Sequence, residues 1–322
     1  MLAATAVRTD PDDPLGGLEV GERPEPDPRP DWVTVRLRAA SLNHHDLWSL
    51  QGVGLPADRL PMVLGCDGAG IDEQGNEVVV HAVISDPDFR GDETLDPKRS
   101  LLSERYQGTF ADKVVVPRRN VVPKPASLSF EEAACLPTAW LTAYRMLYTQ
   151  GGLKPGDSVL VQGAGGGVAT ALIALGRAGG LRVFATSRDE SKRARALELG
   201  AHEVVESGAR LPQRVDAVME TVGKATWSHS IKSLRPGGTV VISGATSGNN
   251  PDHAELTRVF FLQLRVIGST MGTRSELAAL TELLDVTGVR PVIDQVLPMD
   301  AADKGFAAMA SGDVFGKIVF TR

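Results

Sequence analysis

The chain has 322 residues, 42% of them hydrophobic and 23% charged, a formal net charge of −6 and two cysteines. Its length allows about two domains with a full core, and its mixed composition excludes a disordered chain. Two cysteines exclude a disulfide scaffold and a cysteine-rich zinc module, the acidic balance argues against nucleic acid or an anionic membrane as partner, and no apolar run reaches the roughly 18–20 residues of a membrane helix. The start, Met1-Leu2-Ala3-Ala4-Thr5, lacks the charged and apolar regions of a secretory signal, so a cytoplasmic enzyme is expected.

In chain order, the first third is rich in Pro, Gly and short β-like runs. Val33–Leu37, Asn76–Val83, Val114–Val116 and Asn120–Val122 read as strands, and the Pro-rich stretch Arg23–Pro30 as an extended connector. Short strands broken by turn residues predict an irregular β-barrel or sandwich. The character changes near Pro123–Ser129. Ser129 and Glu132 are spaced as a capping box for a helix from about Glu131 to Thr149, with Pro137 inside it. Strand Ser158–Gln162, a Gly-rich loop, a helix and strand Arg182–Ala185 follow. Helix Glu190–Leu199 then ends at Gly200, and strand Val215–Met219 and a helix to Leu234 come next. The turn Arg235–Gly238, strand Thr239–Ser243 and strand Arg265–Gly268 close the set. This alternation predicts an α/β fold with a doubly wound parallel sheet. The tail from about Thr273 carries a helix, a strand near Val292–Leu297, a second helix and strand Lys317–Phe320.

Gln162-Gly163-Ala164-Gly165-Gly166-Gly167-Val168-Ala169 lies between a predicted strand and a predicted helix. Glycines there let the backbone approach a dinucleotide pyrophosphate, and the helix N-terminus offers free N–H groups and positive partial charge. Two registers are open, Gly163-x-Gly165-x-x-Val168 and Ala164-x-Gly166-x-x-Ala169. The cofactor candidates are Ala164, Gly165, Gly166, Gly167 and Val168, and the plain alternative is a βα turn that binds nothing. About 20 residues on, an NAD enzyme places an acid on the ribose hydroxyls. Here the stretch reads Thr186-Ser187-Arg188, with Lys192 one turn later. A hydroxyl with two cations suits a 2′-phosphate, so NADPH is the expected cofactor, bound by Ser187, Arg188 and Lys192. Asp189 either opposes that reading or caps the next helix. The alternative for Arg188 and Lys192 is a solvated helix face.

Five stretches together resemble the medium-chain dehydrogenase/reductase superfamily, in its quinone oxidoreductase and enoyl-reductase branch. They are Leu42-Asn43-His44-His45-Asp46-Leu47-Trp48, Leu64-Gly65-Cys66-Asp67-Gly68-Ala69-Gly70, the run Leu136–Tyr144, Gly163–Val168 and Phe315-Gly316-Lys317-Ile318-Val319. The resemblance covers nearly the whole chain. It implies a GroES-like catalytic domain, 1–122 completed by 272–322, with a Rossmann domain, 123–271, inserted in it. It also implies a homodimer joined through the last Rossmann strand, with a covered edge as the alternative.

In the zinc alcohol dehydrogenases of that superfamily, the metal positions match Asn43, Cys66-Asp67 and Thr138 here. Only Cys66 is a good zinc ligand. The four-cysteine structural zinc lobe falls at Phe89–Gly108, which has no cysteine. No metal is therefore expected, with an improvised site from Cys66, Asp67, His44 and His45 as the alternative. Without a Lewis acid, hydride transfer suits a small electrophile that spreads the incoming charge: a quinone, enone, enal or enoyl thioester. By position in the family-like stretch, Asn43 is the donor candidate for the developing oxyanion. His44 is the proton donor, and Asp46 is a third catalytic-loop residue, more suited to fixing that loop. Packing is the alternative for each histidine. The resemblance further assigns Thr138, Gly244, Ala245, Ser269 and Thr270 to the nicotinamide end. Lys317 is either a cofactor contact or a turn lysine. A zinc-type alcohol dehydrogenase with atypical ligands and a cofactor-binding protein with little redox activity are the competing functions.

Overall fold

Val33, Val35 and Leu37 alternate with more exposed neighbours along strand Trp32–Ser41, and this alternation builds the centre of one unit of the chain. The computed structural model describes all 322 residues. It divides into two units, Met1–Leu141 with Met271–Arg322, and Thr142–Thr270.

In the first unit, Trp32–Ser41 pairs antiparallel with Asp67–Ile71, Lys113–Pro117 and Lys317–Thr321. Strands Glu77–Val80 and Val121–Pro123 extend the sheet on one side. Ile293–Pro298, parallel to the last strand, extends it on the other. A smaller sheet holds Leu18–Glu22, Leu2–Ala6 and Met62–Val63. None of these three strands is expected from the sequence; Leu2–Ala6, for one, is mostly alanine and carries little β signal. One core gathers Leu42, Leu50, Leu64, Phe110, Phe306 and Phe320. Phe110 meets Phe306 and Phe320 edge-on, with ring centroids 6.0 and 5.2 Å away. A second core is formed by Val33, Val35, Leu37, Val78, Val80, Val114 and Val116.

The sheet register positions the site. Ser41 lies opposite Asp67 on one side and Val319 on the other. The end of one strand and the starts of two others therefore meet at Ser41, Asp67 and Lys317. The turn before Asp67 needs Gly65, at φ +99°, where a Cβ would lie 2.6 Å from the Phe110 ring and from Thr109 Oγ1.

The unit boundary falls after Leu141 rather than near Pro123. Helix Phe130–Ala134 packs on the strands Trp32–Ser41 and Asp67–Ile71, which ties this segment to the first unit. Ser129 and Glu132 form the expected capping box. The predicted single helix to Thr149 is interrupted. Wide π turns run over Leu136–Trp140, at Pro137, and over Arg145–Gln150.

The second unit is a six-stranded parallel sheet. Its order is Glu203–Val205, Arg182–Thr186, Ser158–Val161, Val215–Glu220, Leu234–Ile242, Arg265–Gly268. In chain order this is 3-2-1-4-5-6, the doubly wound order of dinucleotide-binding folds. Strand Glu203–Val205 is an addition to the expected set. The expected turn at Arg235–Gly238 is instead an irregularity inside strand Leu234–Ile242, where the register with Val215–Glu220 shifts.

Candidate active site

Lys317 is the least expected member of the site. Its side chain is 2% exposed, and its ammonium donates to Leu42 O at 2.7 Å, Asn43 Oδ1 at 2.6 Å and Asp67 Oδ2 at 3.3 Å. Asp67 Oδ2 also accepts from Ser41 Oγ and Asn43 Nδ2, both at 2.8 Å. Asn43 Nδ2 has a further acceptor in Ser41 O at 3.3 Å. The buried cation and the buried carboxylate thus compensate each other through a shared amide. Lys317 is not a turn lysine, and its donors serve its own unit. This corrects its expected place as a cofactor contact. The same bonds engage the Asn43 amide, so the expected free donor for a substrate oxyanion is not available.

Asp46 is fully buried, and its two oxygens accept from Asn43 N at 2.9 Å and Gly65 N at 3.1 Å. It closes the capping box of helix His44–Leu50 and pins the Gly65 turn. Burial pushes its pKa up to about 6. It holds the loop and touches no open space, which corrects its expected place among the catalytic groups. His44, one position into that helix, is exposed and faces Trp48, with ring centroids 6.2 Å apart. Its pKa lies below the ordinary imidazole value, first through lost hydration and then through the charge of Lys317. The neutral ring therefore predominates at pH 7.

A second cluster is not readable in the sequence as a unit. Cys66 Sγ lies 3.5 Å from His45 Nδ1 and donates to Leu102 O at 3.1 Å, while His45 Nε2 meets Glu104 Oε1 at 3.2 Å. Burial raises the Cys66 thiol pKa. His45 is raised well above its ordinary value: burial opposes its charge, but Cys66 and Glu104 outweigh burial. Glu104 is 59 positions from His45 in sequence, so no local signal could pair them.

The family zinc positions do not fit a zinc ion. Asn43 and Asp67 are bonded to an ammonium, and Thr138 offers only a hydroxyl. Ligand atoms of His45, Asp46 and Cys66 do lie within 4.8 Å of one another. Asp46, however, accepts a backbone N–H on each oxygen and so holds the loop, and His45 Nε2 and Cys66 Sγ are engaged by Glu104 and by Leu102 O. Thr138 Oγ1 is buried and has no hydrogen-bond partner.

In the second unit, Gly163 has φ +81°, and its N–H donates to Thr186 Oγ1 at 3.1 Å. Helix Gly167–Ala178 opens behind Gly166, so Ala164–Val168 present backbone at a helix N-terminus. A buried polar chain that the sequence does not reveal holds this loop. Thr186 Oγ1 donates to Gln162 Oε1, Gln162 Nε2 to Ser230 Oγ, and Ser230 Oγ to Glu220 Oε2. Ser187 is buried and accepts from Asp189 N, and Arg188 is exposed. Asp189 caps the next helix by accepting from Lys192 N at 3.1 Å, and this engages the negative charge that opposed a 2′-phosphate. Arg193, also outside the expected set, donates to Ser187 O and Arg188 O at 2.9 and 3.2 Å. Gly244, Ala245, Ser269 and Thr270 follow the last two strands at their C-terminal ends. That is the end where open α/β sheets bind ligands. Ser269 Oγ is buried without a partner.

Family models described as "Alcohol dehydrogenase GroES-like domain" and "Zinc-binding dehydrogenase" match residues 29–126 and 167–286. A solved structure described as "Crystal Structure of NAD-dependent alcohol dehydrogenase" is 37% identical, with TM-score 0.92 and full coverage of both chains. The chain belongs to the medium-chain dehydrogenase/reductase superfamily. Within that superfamily it is similar to the acryloyl-coenzyme A reductase of Sulfurisphaera tokodaii, 27% identical over 95% of this chain and 97% of that protein. It is also similar to the solved 2-octenoyl-CoA carboxylase reductase CinF in complex with NADP and 2-octenoyl-CoA. That structure is 26% identical, with TM-score 0.90, over 99% of this chain and 87% of CinF. This medium-chain dehydrogenase/reductase thus pairs a GroES-like domain with a Rossmann sheet, and it is an oxidoreductase.

Proposed function

We propose that this medium-chain dehydrogenase/reductase is an NADPH-dependent, zinc-independent reductase of activated alkenes, with enoyl thioesters first and quinones, enones and enals as other acceptors. The observation that carries this reading is Lys317. Its buried ammonium bonds the residues that stand at the family metal positions, so the site offers protein charge where relatives offer a Lewis acid. The acceptor must then delocalise its own charge, as an enoyl thioester does.

NADPH, when bound, would supply the hydride that the β-carbon of such an acceptor takes up. The alkene electrons move to the carbonyl as an enolate, and the α-carbon takes a proton from solvent. His44, exposed and neutral, relays that proton, donating from one ring nitrogen while accepting on the other. In the second unit the buried Ser269 hydroxyl, without a partner, would serve the nicotinamide end. Ala164–Val168 would hold the pyrophosphate. Ser187, Arg188 and Lys192 would receive the 2′-phosphate, and the NADP bound by CinF supports that choice.

A second reading is an NAD-dependent alcohol dehydrogenase, favoured by the likeness to the 37% identical solved enzyme of that description. NADPH and NADH oxidation is followed with enoyl-CoAs, enones, 2-alkenals and quinones, with and without chelator, beside alcohol oxidation. Enoyl-CoA reduction by NADPH that resists chelator is the expected result, and His44→Phe slows it. Chelator-sensitive alcohol oxidation with NAD would overturn the proposal. A tight cofactor binder idle on every substrate would mark a protein with little redox activity.

We further propose a homodimer joined edge to edge through Arg265–Gly268. That strand pairs only with Leu234–Ile242, and Val266 on it is 46% exposed. Leu256, Phe260 and Phe261, on the helix just before it, are 69, 69 and 77% exposed.

A further inference from the structure

Glu220 closes strand Val215–Glu220 in the second unit, and it is fully buried. Four donors converge on it. Val222 N and Gly223 N donate to Oε1 at 2.8 and 3.0 Å, Thr226 Oγ1 lies 2.9 Å from each oxygen, and Ser230 Oγ donates to Oε2 at 2.5 Å. A carboxylate only accepts, so the Ser230 hydroxyl proton is committed to it.

That commitment fixes the direction of every bond beyond it. Ser230 Oγ has only lone pairs left for the Gln162 amide 2.9 Å away, so Gln162 must present its NH2 there. The second hydrogen of that NH2 goes to His229 Nδ1 at 2.8 Å, and His229 Nε2 donates to Ala209 O at 2.9 Å, which sets the ring tautomer. Gln162 Oε1 therefore faces Thr186 and accepts its hydroxyl proton at 2.9 Å. Thr186 Oγ1 in turn accepts the Gly163 N–H at 3.1 Å. Gly163 has a single N–H, so the donors a phosphate can meet lie further along the loop. Gln162, Thr186 and Ser230 are all buried, so a missing partner in this chain is not replaced by solvent. The sheet order places Gln162 between the C-terminal ends of Arg182–Thr186 and Val215–Glu220, which is why one side chain can reach both.

We propose that Gln162 is a positioning residue that sets the affinity for the nicotinamide dinucleotide, a role that rests on the reading of Ala164–Val168 as the pyrophosphate site. Its amide ties the start of the Gly-rich loop to the end of the strand that leads into Ser187 and Arg188. Glu220 is the fixed end of the chain, and Gly163 is the working end. With the chain intact the loop is ordered before cofactor arrives, and binding loses less conformational entropy. A break between Glu220 and Gly163 leaves that ordering to the cofactor. NADPH and NADH both carry a pyrophosphate, so both weaken, whereas a change at Arg188 acts through the 2′-phosphate alone.

Dissociation constants for NADPH and NADH, read by fluorescence titration of the full-length protein, test this beside thermal melting without cofactor. Thr186→Val keeps the side-chain shape and removes the hydroxyl, whereas Thr186→Ser keeps the hydroxyl. Thr186→Val and Gln162→Leu should each raise both dissociation constants at least ~5-fold, and Thr186→Ser should stay within ~2-fold of wild type. The double variant Q162L/T186V should be no more than ~2-fold weaker than the weaker single variant, because both changes break the same chain. Should Gln162→Leu not fold, the two Thr186 variants carry the comparison. A role confined to stability would lower the melting temperature and leave the constants of the folded protein unchanged, and that result would overturn the proposal. A loss in Thr186→Ser as large as in Thr186→Val would overturn it too, as would fully additive losses in the double variant. Wild-type protein that binds neither cofactor would remove the pyrophosphate reading and this proposal with it. Unchanged constants in the variants of a wild type that does bind would overturn this proposal alone.

Discussion

Lys317 and Asp67 are 250 positions apart in sequence and meet in a setting that leaves almost no solvent to either. Removing one partner of such a pair leaves the other as an uncompensated charge, which costs about 3–5 kcal/mol. Lys317→Met should therefore lower stability by that amount in urea unfolding. Adding Asp67→Asn should recover part of the loss, whereas additive losses would show that the pair is not coupled. Asp46 works in the opposite sense. Its native pKa of about 6 exceeds the ordinary 3.8, so the folded state binds the proton more tightly. Its contribution to stability is full below about pH 4 and is lost as pH rises through about 6, a change of about 3 kcal/mol at roughly 1.36 kcal/mol per pH unit. Asp46→Asn should lack that slope when unfolding free energies are compared across this range. At the cofactor end, Arg188→Asp should weaken NADPH binding at least ~10-fold while changing NADH binding little, because a carboxylate repels only the 2′-phosphate. Equal losses for both cofactors would refute the NADPH assignment.

At the scale of elements, the Gly-rich loop separates steric need from ligand need. An added Cβ at Gly166 meets nothing within 4 Å, and its φ of −75° suits any residue. Gly166→Ala should keep the melting temperature of the cofactor-free protein and still raise the NADPH dissociation constant by at least ~10-fold. The clash arises only when pyrophosphate approaches the backbone. An unchanged dissociation constant would move the phosphate elsewhere. The elements around this loop are legible because parallel strands buried on both faces read as short apolar runs, and turn residues punctuate them. Strand Arg265–Gly268 lies where the sequence puts it, and a local capping pattern is enough to find Ser129–Glu132. The single helix expected over Glu131–Thr149 is not continuous. Pro137 removes a backbone donor, and two π turns widen the helix at Leu136–Trp140 and Arg145–Gln150.

For the whole molecule, the open edge at Arg265–Gly268 and the exposed Phe260 and Phe261 give one prediction about assembly. Light scattering should find a dimer. The variant V266K/F261D should be monomeric with an unchanged circular dichroism spectrum, because charges on an edge strand oppose pairing with a second copy. A wild-type monomer would refute it. No helix is long and apolar enough to cross a membrane.

The sequence by itself determined what local chemistry encodes: the alternation of elements, the Gly-rich loop between a strand and a helix, the missing acid at Ser187 and the shortage of zinc ligands. These are properties of neighbouring residues and of composition. Only the tertiary structure decided what the polar residues do. Sheet register brings Ser41, Asp67 and Lys317 to one point, which makes a cofactor candidate into a buried counter-ion and turns a donor candidate, Asn43, into its bridge. The same holds for His45 with Glu104 and for Gln162 among Thr186, His229 and Ser230. Burial and long-range pairing set whether a polar group is free or engaged, and neither is written in the order of residues along the chain.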